Sequence, residues 1–144
     1  NSTGAMLKFV QDNQSYSKAK VLRGLHYQIE QPQGKLVRVV SGAVWDVAVD
    51  LRRSSPTFAQ WTGVELTAEN QRMFWGPPGC AHGFVVTGDH AVFLYKTTDY
   101  WAQRHERTIA WNDPSLAIKW PVTDPIVNEK DAAGLAFSKA PTYA

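Results

Sequence analysis

The segment Arg23-Gly-Leu-His-Tyr-Gln28 sets a histidine, whose ordinary pKa near neutrality suits a general base, in a run that alternates as a strand does. On strict alternation Arg23, Leu25 and Tyr27 share one face, while Gly24, His26 and Gln28 share the other as a small polar cluster. If that side lines a concave interior, His26 is a base in a pocket; a surface histidine on a half-wet strand fits the composition equally well. Phe93-Leu-Tyr-Lys-Thr-Thr-Asp99 puts Phe93, Tyr95 and Thr97 on one face of another strand. There the Tyr95 hydroxyl can donate a proton to a carbanion or enolate, or bond the backbone as a core tyrosine. Lys35, Arg38, Arg52 and Arg53 read by default as surface charges, and Asp131, after Asn128-Glu-Lys130, as a solvated loop residue.

These side chains need strands to hold them. Short alternating runs recur about every ten residues with turn residues between, the pattern of an antiparallel sandwich or barrel. The strongest reads as a hairpin: Lys35-Leu-Val-Arg-Val-Val40, a turn at Ser41-Gly42, and a return over 43–51. On that return Trp45, Val47, Val49 and Leu51 share one face, and Asp46 and Asp50 point the other way. Further strands are expected at 60–66, 72–75, 83–87, 91–98 and 107–111, with Trp75-Gly-Pro-Pro-Gly79 and Gly88-Asp89 among the turns. Near the start only 7–11 reads as a strand, because the first 18 residues are polar apart from 6–10. Residues 120–144 hold one short helical turn near 130–135 and are expected to wrap over the barrel.

A length of 144 residues, 44% apolar, fits one domain over 1–144 with a real core. The net charge of +2 comes from 15 basic and 13 acidic residues that are scattered, which argues against a nucleic-acid partner. Local arginines and lysines can still hold an anionic small molecule. The single cysteine, Cys80, excludes an internal disulfide framework and, without a CxxC or Cys/His cluster, a structural zinc site of the usual type. The cytoplasm is the expected compartment. No run approaches the roughly 20 apolar residues that span a bilayer, and residues 1–6 lack a basic segment followed by an apolar one, so no membrane partner is expected.

Pro77-Pro-Gly-Cys-Ala-His-Gly-Phe84 resembles the second motif of the cupin superfamily, whose histidine often binds a metal. The first cupin motif should supply H-x-H and a following glutamate, but the matching place reads His26-Tyr27-Gln28 with Pro32 and Gln33 downstream. A metal site is thus short of ligands, no metal is expected, and His82 reads as a pocket donor or a structural histidine.

Taken together, Phe9-Val-Gln-Asp-Asn13, Arg23 to Gln28, Gly34-Lys-Leu-Val-Arg-Val-Val40, Asp46-Val-Ala-Val-Asp50, Pro77 to Phe84, Leu94-Tyr-Lys-Thr-Thr-Asp-Tyr100 and Trp111-Asn-Asp-Pro114 resemble the dTDP-4-dehydrorhamnose 3,5-epimerase family of dTDP-L-rhamnose synthesis. The resemblance implies an all-β, cupin-like jelly-roll barrel with a short C-terminal helical and irregular wrap. It implies a homodimer without metal or cofactor that inverts C3 and C5 of dTDP-4-dehydro-6-deoxy-D-glucose. His26 matches the family's base, Asp131 the carboxylate paired with it, Tyr95 the acid on the opposite face of the sugar, and Lys35 the lysine near the C4 oxygen. Gln11, Asn13 and Arg23 match nucleotide and diphosphate contacts, His82 a polar group at the sugar, and Gln28 a further substrate-binding position. Two departures stand out: the family's N-terminal segment with a G-D-x-R-G-F-F-like motif has no counterpart here, and Trp101 replaces the second tyrosine of T-T-D-Y-Y. Relatives that invert one centre or perform a 3,4-ketoisomerisation are the second enzyme reading. A sugar-nucleotide-binding homologue without turnover is the reading of another class.

Overall fold

Two long strands organise the molecule in a computed structural model that describes residues 7–144; Met6, the first of the apolar residues near the start, lies outside the described residues. Strand β3 (Lys35–Asp50) and strand β6 (Cys80–Thr97) pair antiparallel from Lys35 opposite Thr97 to Asp50 opposite Cys80. The remaining strands are β1 (Gln11–Lys18), β2 (Val21–Gln28), β4 (Trp61–Thr67), β5 (Met73–Gly76), β7 (Glu106–Thr108) and β8 (Ile126–Val127), followed by one helix, α1 (Glu129–Ala132). One half-sheet runs β1, β6, β3, β5, and the other runs β7, β2, β6, β3, β4, so β3 and β6 belong to both. This is the all-β barrel expected of the family resemblance.

The hairpin expected at Ser41-Gly42 and the turn expected at Gly88-Asp89 do not form; each is a bend within one continuous strand. The bends face each other, with Gly42 opposite Ala91 and the register shifting between Val39 and Ser41 and between Gly42 and Val44. Inner residues change parity there: Val37 and Val39 precede the bend and Val44 follows it in the same buried cluster, as Phe84 and Val86 precede Ala91 and Phe93 on β6. A parity change flanked by turn residues reads in sequence as the end of one strand and the start of the next. Gly42 permits the bend, since its φ of +83° favours glycine and a Cβ there would collide with the His90 carbonyl. The Ser41 hydroxyl and His90 Nε2 are 2.7 Å apart across it.

Strand β1 also lies beyond the expected 7–11, because it is polar on both faces. Gln11, Asn13, Ser15 and Ser17 turn inward while Asp12, Gln14, Tyr16 and Lys18 are exposed, which leaves no apolar alternation to read.

Two apolar clusters follow from this layout. Val37, Val44, Leu66, Phe84 and Phe93 fill one end of the barrel interior. Leu25, Tyr27, Val47, Val49 and Leu51 lie on the outside of the second half-sheet, where Trp120, Phe137 and Tyr143 of the C-terminal wrap cover them. The wrap is pinned by the Tyr27 hydroxyl, which donates to Pro141 O at 2.7 Å, and by the Tyr143 amide, which donates to Leu51 O at 3.0 Å. Among the described residues no helix is long and apolar enough to cross a membrane.

A Gly42→Ala substitution should lower stability by about 2 to 3 kcal/mol, since both the positive φ and the His90 carbonyl oppose a side chain. Denaturant unfolding measures this; a midpoint equal to that of the wild type would mean that the bend tolerates a Cβ.

Candidate active site

A cavity of about 360 Å³ opens between the half-sheets, and Asn13, Arg23, His26, Lys35, His82 and Tyr95 all line it. Asp46 lines it as well. Arg23 and His26 reach it together because the β2 register against β6 shifts between them. This corrects the strict alternation, which set Arg23 and His26 on opposite faces; Leu25 and Tyr27 do turn outward, into the cluster beneath the wrap.

His26 is held from behind by a carboxylate 105 residues away: its Nε2 lies 2.6 Å from Asp131 Oδ1, while Asp131 Oδ2 accepts the Gly24 amide at 3.1 Å. Asp131 is fully buried rather than solvated. Its delivery is local and legible in retrospect. Strand β8 runs parallel to β2, with Val21 opposite Ile126 and Leu22 opposite Val127. Asn128 then caps α1, its side chain accepting the Asp131 amide at 2.8 Å. Burial pushes the Asp131 carboxyl up, but the His26 bond and charge, the Gly24 amide and Lys130 outweigh it and hold the pKa below the ordinary 3.8. The imidazole thus presents Nδ1, the ring nitrogen that Asp131 does not engage, to a ligand.

Across the cavity, on the other half-sheet, Lys35 of β3 and Tyr95 of β6 stand together, with Lys35 Nζ 5.6 Å from the Tyr95 ring centre. Burial lowers the Lys35 pKa from 10.5, against the opposing pull of Asp46 and Glu106. Burial, with Glu106 assisting, raises that of Tyr95 above 10.0, so the phenol keeps its proton. His82 is 6% exposed, and burial together with Lys35 pushes its pKa down to about 3, which makes it a neutral ring. Gly76 leaves room for that ring, where a Cβ would overlap it.

Asp46 is the first functional candidate that sequence reasoning missed. It is 1% exposed, with Oδ2 4.0 Å from His82 Nδ1, and burial raises its pKa well above 3.8 against the opposing Lys35 charge. Among the described residues Asp46 Oδ2, both His82 ring nitrogens and the Asn13 side-chain nitrogen Nδ2 lack a hydrogen-bond partner. Such atoms are costly to bury alone and suit a polar ligand. Alternation placed Asp46 and Asp50 together, opposite the apolar face of Trp45, Val47, Val49 and Leu51, and no motif marks which of two such aspartates lines a cavity.

Gln11, Gln28 and Glu106 line a smaller adjoining cleft of about 70 Å³. Gln11 accepts the Trp101 amide at 3.0 Å and donates to Asn13 at 2.8 Å. The Gln28 amide is already engaged by the chain: it donates to Gln31 O at 2.8 Å and Tyr100 O at 3.2 Å and accepts the Ala102 amide at 2.8 Å. Gln28 therefore holds the loop after β6 in place. Glu106 is the second residue missed, since one glutamate at a strand start carries no signal of its own. Among the described residues no three His, Cys, Asp or Glu side chains gather as metal ligands would.

A base backed by a carboxylate on one wall and an acid beside an ammonium on the other can remove a proton from carbon, hold the resulting enolate and return a proton to the opposite face. Known proteins resemble this chain over most of its length. The family model described as dTDP-4-dehydrorhamnose 3,5-epimerase matches residues 1–139. The curated dTDP-4-dehydrorhamnose 3,5-epimerase of Pseudomonas aeruginosa is 61% identical over 97% of this chain and 78% of that protein. That of Shigella flexneri is 54% identical over 96% and 77%. The crystal structure of the Legionella pneumophila dTDP-6-deoxy-D-glucose-3,5-epimerase with dTDP-4-keto-L-rhamnose superposes with a TM-score of 0.93 at 52% identity, over 96% of this chain and 74% of that one. The chain belongs to the dTDP-4-dehydrorhamnose 3,5-epimerase family.

Proposed function

We propose that this protein inverts C3 and C5 of dTDP-4-dehydro-6-deoxy-D-glucose, giving dTDP-4-dehydro-L-rhamnose. The observation that carries this reading is His26, backed by Asp131, facing Tyr95 and Lys35 across one cavity. Protons on C3 and C5 flank the C4 ketone and are acidic only because an enolate can form. His26 Nδ1 takes the proton, the C–H electron pair moves into the enolate, and negative charge gathers on the C4 oxygen, where the Lys35 ammonium meets it. Tyr95 then delivers its proton to the opposite face of the carbon. Solvent returns a proton to the phenolate and removes one from the imidazolium, and the cycle repeats at the second centre. Asp131 fixes the imidazole tautomer and stabilises the imidazolium.

His82, a neutral ring with partnerless nitrogens, bonds the sugar hydroxyls or the ketone side of the ring in this reading. Arg23, Gln11 and Asn13 hold the nucleotide diphosphate end, where the Arg23 guanidinium suits phosphate geometry. The Trp101 loop that Gln28 braces closes that end. A homodimer belongs to the same reading, supported by the outer face of the first half-sheet, which exposes Tyr16, Val40 and Met73.

Proton NMR in deuterium oxide tests the assignment. The wild type should exchange both C3 and C5 protons of the substrate; loss of one signal alone would make the protein a single-centre epimerase. His26→Ala should slow exchange by about 10³-fold or more with the fold intact, and exchange at the wild-type rate would remove His26 as the base. Tyr95→Phe should retain exchange yet lose epimerised product, and wild-type product formation would point to another donor.

Burial moves the ionisation of Lys35 down from 10.5 and that of Tyr95 up from 10.0, and these opposite shifts favour Lys35 as the group that sets the alkaline side of the kcat profile. Rate is lost as pH rises, because the neutral amine no longer meets the enolate. Lys35→Arg keeps its charge across this range, so its alkaline limb should move to higher pH at a kcat about tenfold lower. An unmoved limb would assign it to another group.

A further inference from the structure

Strand β1 belongs to the first half-sheet and β2 to the second, and both use β6 as their neighbour. Ser17 of β1 stands opposite Ala91 and Arg23 of β2 opposite Phe84, on either side of the β6 bend. A tight turn at Ala19-Lys20 joins the two strands, with Lys20 at a φ of +66°. One side-chain bond crosses from half-sheet to half-sheet beside that turn: Arg23 Nε donates to Ser17 Oγ at 3.0 Å. Ser17 is 3% exposed and is one of the inward polar residues that hide β1 from a reading by alternation.

The same guanidinium lines the cavity beside Asn13, His26 and Tyr95, and its charge reaches the Tyr95 phenol. Among the described residues no carboxylate pairs with it, and the Ser17 hydroxyl is its one hydrogen-bond partner. A guanidinium is a flat fork of five N–H donors. With Nε spent on Ser17, Nη1 and Nη2 remain, and their parallel N–H bonds match two oxygens of a phosphoryl group. A hydroxyl fixes the plane of the fork and adds no charge. A carboxylate in its place would fix it as firmly but cancel the charge that an anion needs.

We propose that Ser17 is a positioning residue for Arg23, a neutral anchor that aims the two terminal guanidinium nitrogens into the cavity at the diphosphate of a nucleoside diphosphate sugar. This rests on the reading of Arg23 as the diphosphate contact, and Ser17 itself touches no ligand. Backbone pairing of both strands with β6 sets where the two residues stand and leaves the long arginine side chain free to change rotamer. The bond to Nε removes much of that freedom before the ligand arrives, so less of it is lost on binding. Without the bond the charge stays in the cavity but is no longer aimed, and affinity for phosphate falls without vanishing.

NMR titration of the whole chain with dTDP and with thymidine tests this and needs no turnover. Ser17→Ala should weaken dTDP binding about tenfold, while thymidine, which carries no phosphate, binds within about twofold of wild type. With the dTDP-sugar substrate KM should rise in step and kcat stay within about twofold, because Arg23 meets the diphosphate and not the carbons that lose protons. In an Arg23→Lys background, where the guanidinium is gone, Ser17→Ala should change dTDP affinity by less than about twofold. Ser17→Asp should bind dTDP more weakly than Ser17→Ala, because it neutralises the cation that it holds. Unchanged dTDP affinity in Ser17→Ala, equal losses for dTDP and thymidine, or a full effect in the Arg23→Lys background would each overturn the proposal. Ser17→Asp with wild-type affinity would do the same. Ser17→Ala removes a single oxygen, so it folds and decides the matter even if Ser17→Asp does not. A wild type that binds dTDP but exchanges no proton would overturn the epimerase reading alone, and one without affinity for dTDP would overturn both.

Discussion

The pairing of β3 with β6 is the constraint on which the molecule depends. Because both strands bend at the same level, one continuous ladder serves two half-sheets and turns its inner face through the bend without a break. Before its bend β3 contributes Lys35, and after it Asp46; β6 contributes His82 before its bend and Tyr95 after. Four of the polar groups of the site are thus fixed to two strands by backbone hydrogen bonds, and their relative positions are as rigid as the sheet. A hairpin at either bend would have separated these pairs onto different strands. The glycine at position 42 is therefore a condition for the site as well as for the barrel.

Charge in the cavity is governed by what little solvent reaches it. Buried Asp46 and His82 and half-buried Lys35 lie in one set, and each shifts toward its neutral form by desolvation. The ammonium and the aspartate oppose that shift in each other, while the ammonium adds to it at His82, so the histidine is the group left uncharged. Such a set offers one cation, one neutral ring and a carboxyl poised to share a proton, which suits a ligand that gains negative charge on one oxygen during reaction. The His26 and Asp131 pair differs: several bonds and cations hold Asp131 ionised despite its burial, so a carboxylate stands 2.6 Å from the ring nitrogen.

Much of this was legible in the sequence, for reasons that can be assigned residue by residue. Strands expected at 60–66 and 72–75 form at Trp61–Thr67 and Met73–Gly76, because each carries apolar residues on one face between turn signals. The strand expected at 107–111 forms only as Glu106–Thr108, and the helical turn expected near 130–135 forms as Glu129–Ala132. The outward face of Trp45, Val47, Val49 and Leu51 is the one the C-terminal wrap covers, as alternation required. What escaped was whatever broke the period of two. Strand β1 has polar residues inward because it lines the cavity, the bends in β3 and β6 imitate hairpins, and the shift in β2 brings Arg23 to the side of His26. The family motifs pointed to His26, Lys35, Tyr95 and Asp131, and the structure sets His26, Lys35 and Tyr95 on one cavity with Asp131 behind His26. Asp46 and Glu106, single acids whose meaning lies in their neighbours, emerged only from the structure.

The C-terminal wrap shows how a segment of little regular structure can be indispensable to a site built on strands. It shields the outer apolar face of the second half-sheet, where Leu25 and Tyr27 of β2 point, and the same β2 turns His26 inward. Packing on one face of the strand is thus coupled to the placement of His26 on the other. The segment that delivers Asp131 is held by three independent devices: the parallel bridge of β8 to β2, the Asn128 cap, and the Lys130 contact with Glu106. None of these is a large hydrophobic surface. A carboxylate that must be buried, ionised and within 2.6 Å of a ring nitrogen needs several short polar restraints, because apolar packing sets the depth of a helix but leaves its rotation and slide loosely defined.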